Sequence, residues 1–111
     1  MTADPVPFME TALKGSDLDP QLARHALDES HDAYLRDETE LAFSRTGPDV
    51  GTPILTFNPA TDREASFFGP VISKTPRGEH AVQLWDAVKV LAATPSMSEL
   101  KRSARAKLDF T

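Results

Sequence analysis

Residues able to do chemistry are sparse in this chain. It has no cysteine in 111 residues, which excludes disulfides, thiolate zinc sites, iron–sulfur clusters and a cysteine nucleophile. Its three histidines are His25, His31 and His80. His25 and His31 can share a helix–loop face. They lack the HxxxH or HExxH spacing that places two imidazoles on one side of an α-helix, and a third ligand with fixed supporting partners is missing, so no metal site is expected. His80 falls in the first turn of a predicted helix and reads as solvated. Asp37, Glu38 and Glu40 have no partner that would mark a catalytic carboxylate pair, so they read as an exposed helix face. No catalytic residue emerges. The most unusual string is Asp49-Val50-Gly51-Thr52-Pro53-Ile54-Leu55. A proline entering an apolar strand must take its first residue or an edge, because it donates no hydrogen bond to the ladder.

The rest of the composition sets the frame for these residues. Apolar residues are 40% and charged residues 26%, the balance of a folded domain rather than a disordered chain. Seventeen acids against twelve bases give a net charge of −5, which argues against a general nucleic-acid binder. The longest apolar run is Val90–Ala93, too short for a membrane span. The first fifteen residues have no basic start and no apolar block, so they do not read as a signal peptide, and the expected compartment is the cytoplasm. Charge is uneven: residues 1–64 carry a net −8 and residues 65–111 a net +3. This favours pairing of the two halves only weakly.

Local signals give the elements. Residues 1–16 are expected to be a flexible segment, frayed over Met1–Pro7, with a short helical stretch from Phe8 to Lys14 stopped by Gly15. Asp19-Pro20 pairs a capping acid with proline at the first helical position, predicting a short helix to about Leu27. Ser30 is expected to cap the next helix, His31–Arg45, with Tyr34, Leu41 and Ala42 on one face and Thr46-Gly47-Pro48 as its stop. The period then changes. Ile54–Phe57 and Ser66–Phe68 read as strands of a β-hairpin, joined by the turn formers of Asn58–Asp62. From Glu79 the pattern is helical again, with Ala81, Leu84, Trp85, Val88, Leu91 and Ala92 in one apolar stripe. Trp85 lies mid-stripe and is expected in the core. Thr94-Pro95 ends that helix. Ser96 and Glu99 form a capping box for a last helix, whose negative end Lys101, Arg102, Arg105 and Lys107 would complement. A lone two-stranded sheet is marginal in water, so this order of elements leaves a sheet in need of further strands.

Asp49-Val50-Gly51-Thr52-Pro53, Phe67-Phe68-Gly69-Pro70-Val71-Ile72-Ser73-Lys74, Pro76-Arg77-Gly78-Glu79, Leu84-Trp85-Asp86 and Glu99-Leu100-Lys101-Arg102 occur in this order. The series resembles the C-terminal part of the DsbA-like family, and within it the mycothiol-dependent nitroreductase and reductase branch. The resemblance covers roughly residues 17–104; from 17 to 46 it is one of helical character. It implies an α+β fold, the C-terminal half of a thioredoxin-like domain: helices, then a β-hairpin covered by an amphipathic helix, then a short C-terminal helix. Residues 17–47 would be the end of the family's helical insertion and residues 48–111 the ββα part. It also implies that Gly51, Thr52 and Pro53 form the cis-proline loop, which lies beside the family's cysteines and positions substrate or thiol, with Thr52–Pro53 in the cis form.

Two departures stand out. The loop Asn58–Glu64 is longer than the family's tight turn, and the Cys-Pro-x-Cys motif on the family's N-terminal βαβ unit is absent. Thiol–disulfide exchange requires a thiolate, so this chain cannot perform it alone. The expected function is that of a truncated or split thiol-disulfide oxidoreductase. Mycothiol is implied for the intact family, and no cofactor is held by this chain. The alternative is a non-enzymatic interaction module, whose open strand edge pairs with a second copy or with a cysteine-bearing N-terminal half. A remnant of a longer enzyme is the third reading. No nucleic acid or membrane partner is expected.

Overall fold

The computed structural model describes residues 3–111. The chain divides into two compact units, Met1–Thr39 and Glu40–Thr111, with the boundary inside a helix. Its order is α1 (Val6–Gly15), two 3-10 helices (Pro20–Leu27 and Glu29–His31), α2 (Asp32–Thr46), β1 (Ile54–Phe57), β2 (Ala65–Phe68) and α3 (Gly78–Ala92). Helices combined with a small antiparallel sheet make this an α+β chain.

In the first unit, α1 starts two residues before the expected Phe8. Asp4 Oδ1 accepts the Val6 N–H at 3.0 Å, and Pro7 lies in the first turn, where its missing N–H costs nothing. Of the stretch expected to fray, Met1 and Thr2 lie outside the described residues, while Val6 and Pro7 are helical. The helix ends at Gly15, but its left-handed residue is Asp17 at φ 57°. Leu18 N–H donates to Leu13 O at 2.9 Å and Asp17 N–H to Lys14 O at 3.2 Å. This double closure satisfies carbonyls that a helix end leaves free. Asp19 caps the next segment as expected, accepting from Gln21 N–H at 2.9 Å. That segment is a 3-10 helix. Asp28 caps the 3-10 helix Glu29–His31 that leads into α2, its Oδ1 accepting the Ser30 N–H at 3.0 Å, so Ser30 lies inside that turn. Ala23 is the only buried apolar side chain of this unit among the described residues.

In the second unit, β1 and β2 pair antiparallel, with Ile54 opposite Phe68, Leu55 opposite Phe67, Thr56 opposite Ser66 and Phe57 opposite Ala65. The hairpin is as expected, with β2 one residue longer. Its loop folds on itself: Thr61 Oγ1 donates to Asn58 O at 2.7 Å, and the Ala60 N–H donates to Glu64 Oε2 at 2.7 Å. Asn58 and Ala60 take positive φ. Arg45 Nε lies 3.4 Å from Glu64 Oε1, an ionic contact without hydrogen-bond alignment, which ties the end of α2 to the hairpin loop.

Strand alternation puts Leu55 and Phe57 on one sheet face and Ile54 and Thr56 on the other. Phe57 meets Trp85 of α3 with ring centroids 5.2 Å apart and planes tilted by 60°, a favoured aromatic geometry. The α3 stripe faces inward as its period predicts. Val88 is buried, and Ala81, Leu84, Leu91 and Ala92 are half-buried, while Val82 and Val90 point outward. Trp85 departs from the core expectation, remaining 48% exposed. A two-stranded sheet is too narrow to cover the indole as well as Phe57.

The expected C-terminal helix does not form. After α3, Thr94-Pro95-Ser96-Met97 makes a turn closed by Met97 N–H to Thr94 O at 2.9 Å, and residues 98–111 contain no helix. A helix this short is marginal without an apolar face docked on something. The tail pairs elsewhere: Asp109 N–H donates to Ser73 O at 2.7 Å, Lys74 Nζ lies 3.6 Å from Asp109 Oδ2, and Arg77 donates to Thr111 O at 3.1 Å.

Candidate functional site

Gly51, Thr52 and Pro53 lead into β1 and are exposed. The Thr52–Pro53 peptide is cis, as is Gly69–Pro70. Pro53 O accepts the Gly69 N–H at 2.8 Å, so the loop before β1 is clipped to the end of β2. Gly69 is buried at φ 111°, a conformation that glycine adopts without steric cost. On the sheet face away from Phe57, the Phe68 ring lies against Gly51; a Cβ there would sit 3.4 Å from Phe68 Cε2. Thr56 Oγ1 and Ser66 Oγ are 2.8 Å apart on that face. The loop is thus held by backbone and ring contacts, and it has no nucleophile, acid or base.

Fit to mycothiol can be tested on the donor set. A low-molecular-weight thiol acts by disulfide exchange, which needs a protein sulfur in the thiol state, and the chain has no cysteine. A shallow cavity of about 220 Å³ lies beside Ser73, Lys74, Asp109 and Phe110, below the roughly 300 Å³ at which small-molecule sites begin. The residues present therefore do not fit a thiol-exchange centre. In that cavity the carboxyl of Asp109 is held below its ordinary value, first by the Thr111 hydroxyl and backbone N–H and then by Lys74.

The structure also brings together residues that α-helical spacing would keep apart. His31 Nε2 lies 3.2 Å from His25 Nδ1 and 3.5 Å from Asp28 Oδ2, and all three side chains are exposed. The Asp28 carboxyl is held below its ordinary value, chiefly by hydrogen bonds from Ser30, with smaller help from the two imidazoles. The signal in the sequence is a spacing of three, His25-x-x-Asp28-x-x-His31. The two histidines lie in successive 3-10 helices, and Asp28 joins them with an extended backbone at φ −87° and ψ 99°. His80 is apart from this group, exposed in the first turn of α3. Asp37, Glu38 and Glu40 lie exposed along α2. Among the described residues, no helix is long and apolar enough to cross a membrane.

Comparison with known families matches residues 2–102, most of the chain, to the Rv2466c-like family described as mycothiol-dependent nitroreductase Rv2466c. The match takes in the loop before β1, the hairpin and α3, and the chain belongs to this Rv2466c-like family of mycothiol-dependent nitroreductases.

Proposed function

We propose that this chain is the cysteine-free, C-terminal portion of a DsbA-like, thioredoxin-fold reductase that acts in the cytoplasm and is inactive by itself. Residues 17–47 are the end of the helical insertion and residues 48–111 the ββα part. The reading is carried by one observation: a family match over residues 2–102 in a chain without cysteine. Reduction by a thiol requires a thiolate, so a βαβ unit bearing Cys-Pro-x-Cys must be supplied from outside these residues. Gly51, Thr52 and Pro53 then position substrate or thiol through their backbone and take no part in bond making.

Two features support a missing unit. Among the described residues β1 pairs with β2 alone, so its other edge is a row of free backbone donors and acceptors. Buried apolar side chains are limited to Ala23 and Val88 among the described residues, a small core for a chain of this length. The same open edge favours the second reading, an interaction module that pairs with a second copy of itself.

The test is complementation. The chain is mixed with a separately produced βαβ polypeptide carrying Cys-Pro-x-Cys, and mycothiol-dependent reduction of a nitroaromatic substrate is followed. The chain alone should show no turnover, and the mixture should. A mixture that forms no complex and shows no turnover would sink the split-enzyme reading. A defined homodimer by light scattering, unchanged by the added polypeptide, would favour the interaction module.

A further inference from the structure

We propose that His25, Asp28 and His31 form a binding site for one divalent cation of the zinc type. The first basis is distance. A tetrahedral centre with bonds of about 2.0–2.1 Å sets neighbouring ligand atoms roughly 3.3–3.4 Å apart. His31 Nε2 already lies 3.2 Å from His25 Nδ1 and 3.5 Å from Asp28 Oδ2. The three ligand atoms all fall within 4.8 Å of one another, so the remaining edge needs only a side-chain rotation, which exposed groups make freely.

The second basis is how the backbone presents them. His25 lies in the last turn of the 3-10 helix Pro20–Leu27 and His31 ends the 3-10 helix Glu29–His31. Asp28 joins the two with an extended backbone at φ −87° and ψ 99°, and this bend sets its carboxyl beside both imidazoles. Asp28 is further fixed because its Oδ1 accepts the Ser30 N–H at 3.0 Å, which leaves Oδ2 directed at His31. A metal-ligating carboxylate is commonly held by such a second hydrogen bond. The third basis is ligand chemistry. Two imidazoles and one carboxylate suit zinc or copper better than calcium or magnesium, which prefer an all-oxygen set. The fourth position, open to solvent, is left for water.

A local reading competes with this one: an imidazole–imidazole hydrogen bond with Asp28 as ion partner and helix cap. A titration of the tag-free chain with zinc chloride separates the two. Calorimetry should find one Zn²⁺ per chain, and the ring resonances of His25 and His31 should move together while those of His80 stay. His25→Gln and His31→Gln should each weaken binding at least about tenfold, and His80→Gln should leave it unchanged. Asp28→Asn should weaken it too, with the helix content by circular dichroism preserved, since asparagine caps as well as aspartate. No saturable binding, or an affinity in the His25→Gln and His31→Gln chains unchanged from that of the parent chain, overturns the site.

Discussion

Phe57 and Trp85 offer the sharpest probe of what holds the second unit together. Trp85 is the single tryptophan, so its emission reports on one contact, the 5.2 Å approach of the Phe57 ring. Phe57 is half-buried on the covered sheet face. A phenylalanine side chain with most of its surface removed from water contributes about 3 kcal/mol at ~25 cal/mol per Å². Residual compactness of the unfolded chain lowers that figure by up to about 40%, and the tilted ring pair adds back about 0.5–1.5 kcal/mol. Phe57→Ala should therefore cost about 2–3 kcal/mol. In urea this moves the midpoint down by roughly 1–2 M. Trp85 emission should shift to the red and acrylamide quenching should rise, because the face of the indole that meets Phe57 becomes wet. Val82→Ala is the control on the same helix: Val82 is exposed, and its truncation should cost under about 0.5 kcal/mol. Unchanged emission together with a loss under about 0.5 kcal/mol for Phe57→Ala would refute the view that α3 is held to the sheet through this pair.

Two further perturbations test the loop and the tail. Gly69→Ala should cost about 1–3 kcal/mol by denaturation midpoint, from backbone strain at a positive φ; no clash contributes, since the nearest atom to the new Cβ, Val71 N, is 3.6 Å away. Thr111→Ala should raise the Asp109 titration midpoint, read by carbon NMR, because the Thr111 hydroxyl is the main cause of its depression. The sign follows from that depression: the carboxylate's tie to the tail is fully present above the ordinary aspartate value, near ~3.9, and is lost as pH falls through the folded value. An Asp109 midpoint unmoved by the substitution would disprove that account.

The elements legible in the sequence are those whose causes lie within a few residues. Asp19-Pro20 starts a helix because the cap oxygen and the fixed proline φ act on the next turn alone. Gly47 ends α2 at φ 93°, a conformation glycine reaches without a side-chain clash. Ile54–Phe57 and the stripe from Ala81 to Ala92 carry their periods openly. The ordered strings from Asp49 to Arg102 also point to the family. What the sequence determined about chemistry is chiefly negative and firm: without cysteine, no thiol exchange is available to these residues.

Tertiary placement decided the rest. Ser96 and Glu99 have the form of a capping box, yet no helix follows, because a cap worth about 1 kcal/mol cannot hold a short helix that docks on nothing. The backbone of the tail bonds to Ser73 and Arg77 instead. Trp85 lies on the buried stripe by period but stays half exposed, since the width of the sheet, and not the helix, sets how much of it is covered. His25 and His31 meet because the extended backbone of Asp28 bends the chain between two short 3-10 helices. A continuous α-helix would set residues six apart about 120° away from one another. Periodicity reports which residues share a face for a given winding; the winding itself, and what lies opposite each face, come from contacts made elsewhere in the chain.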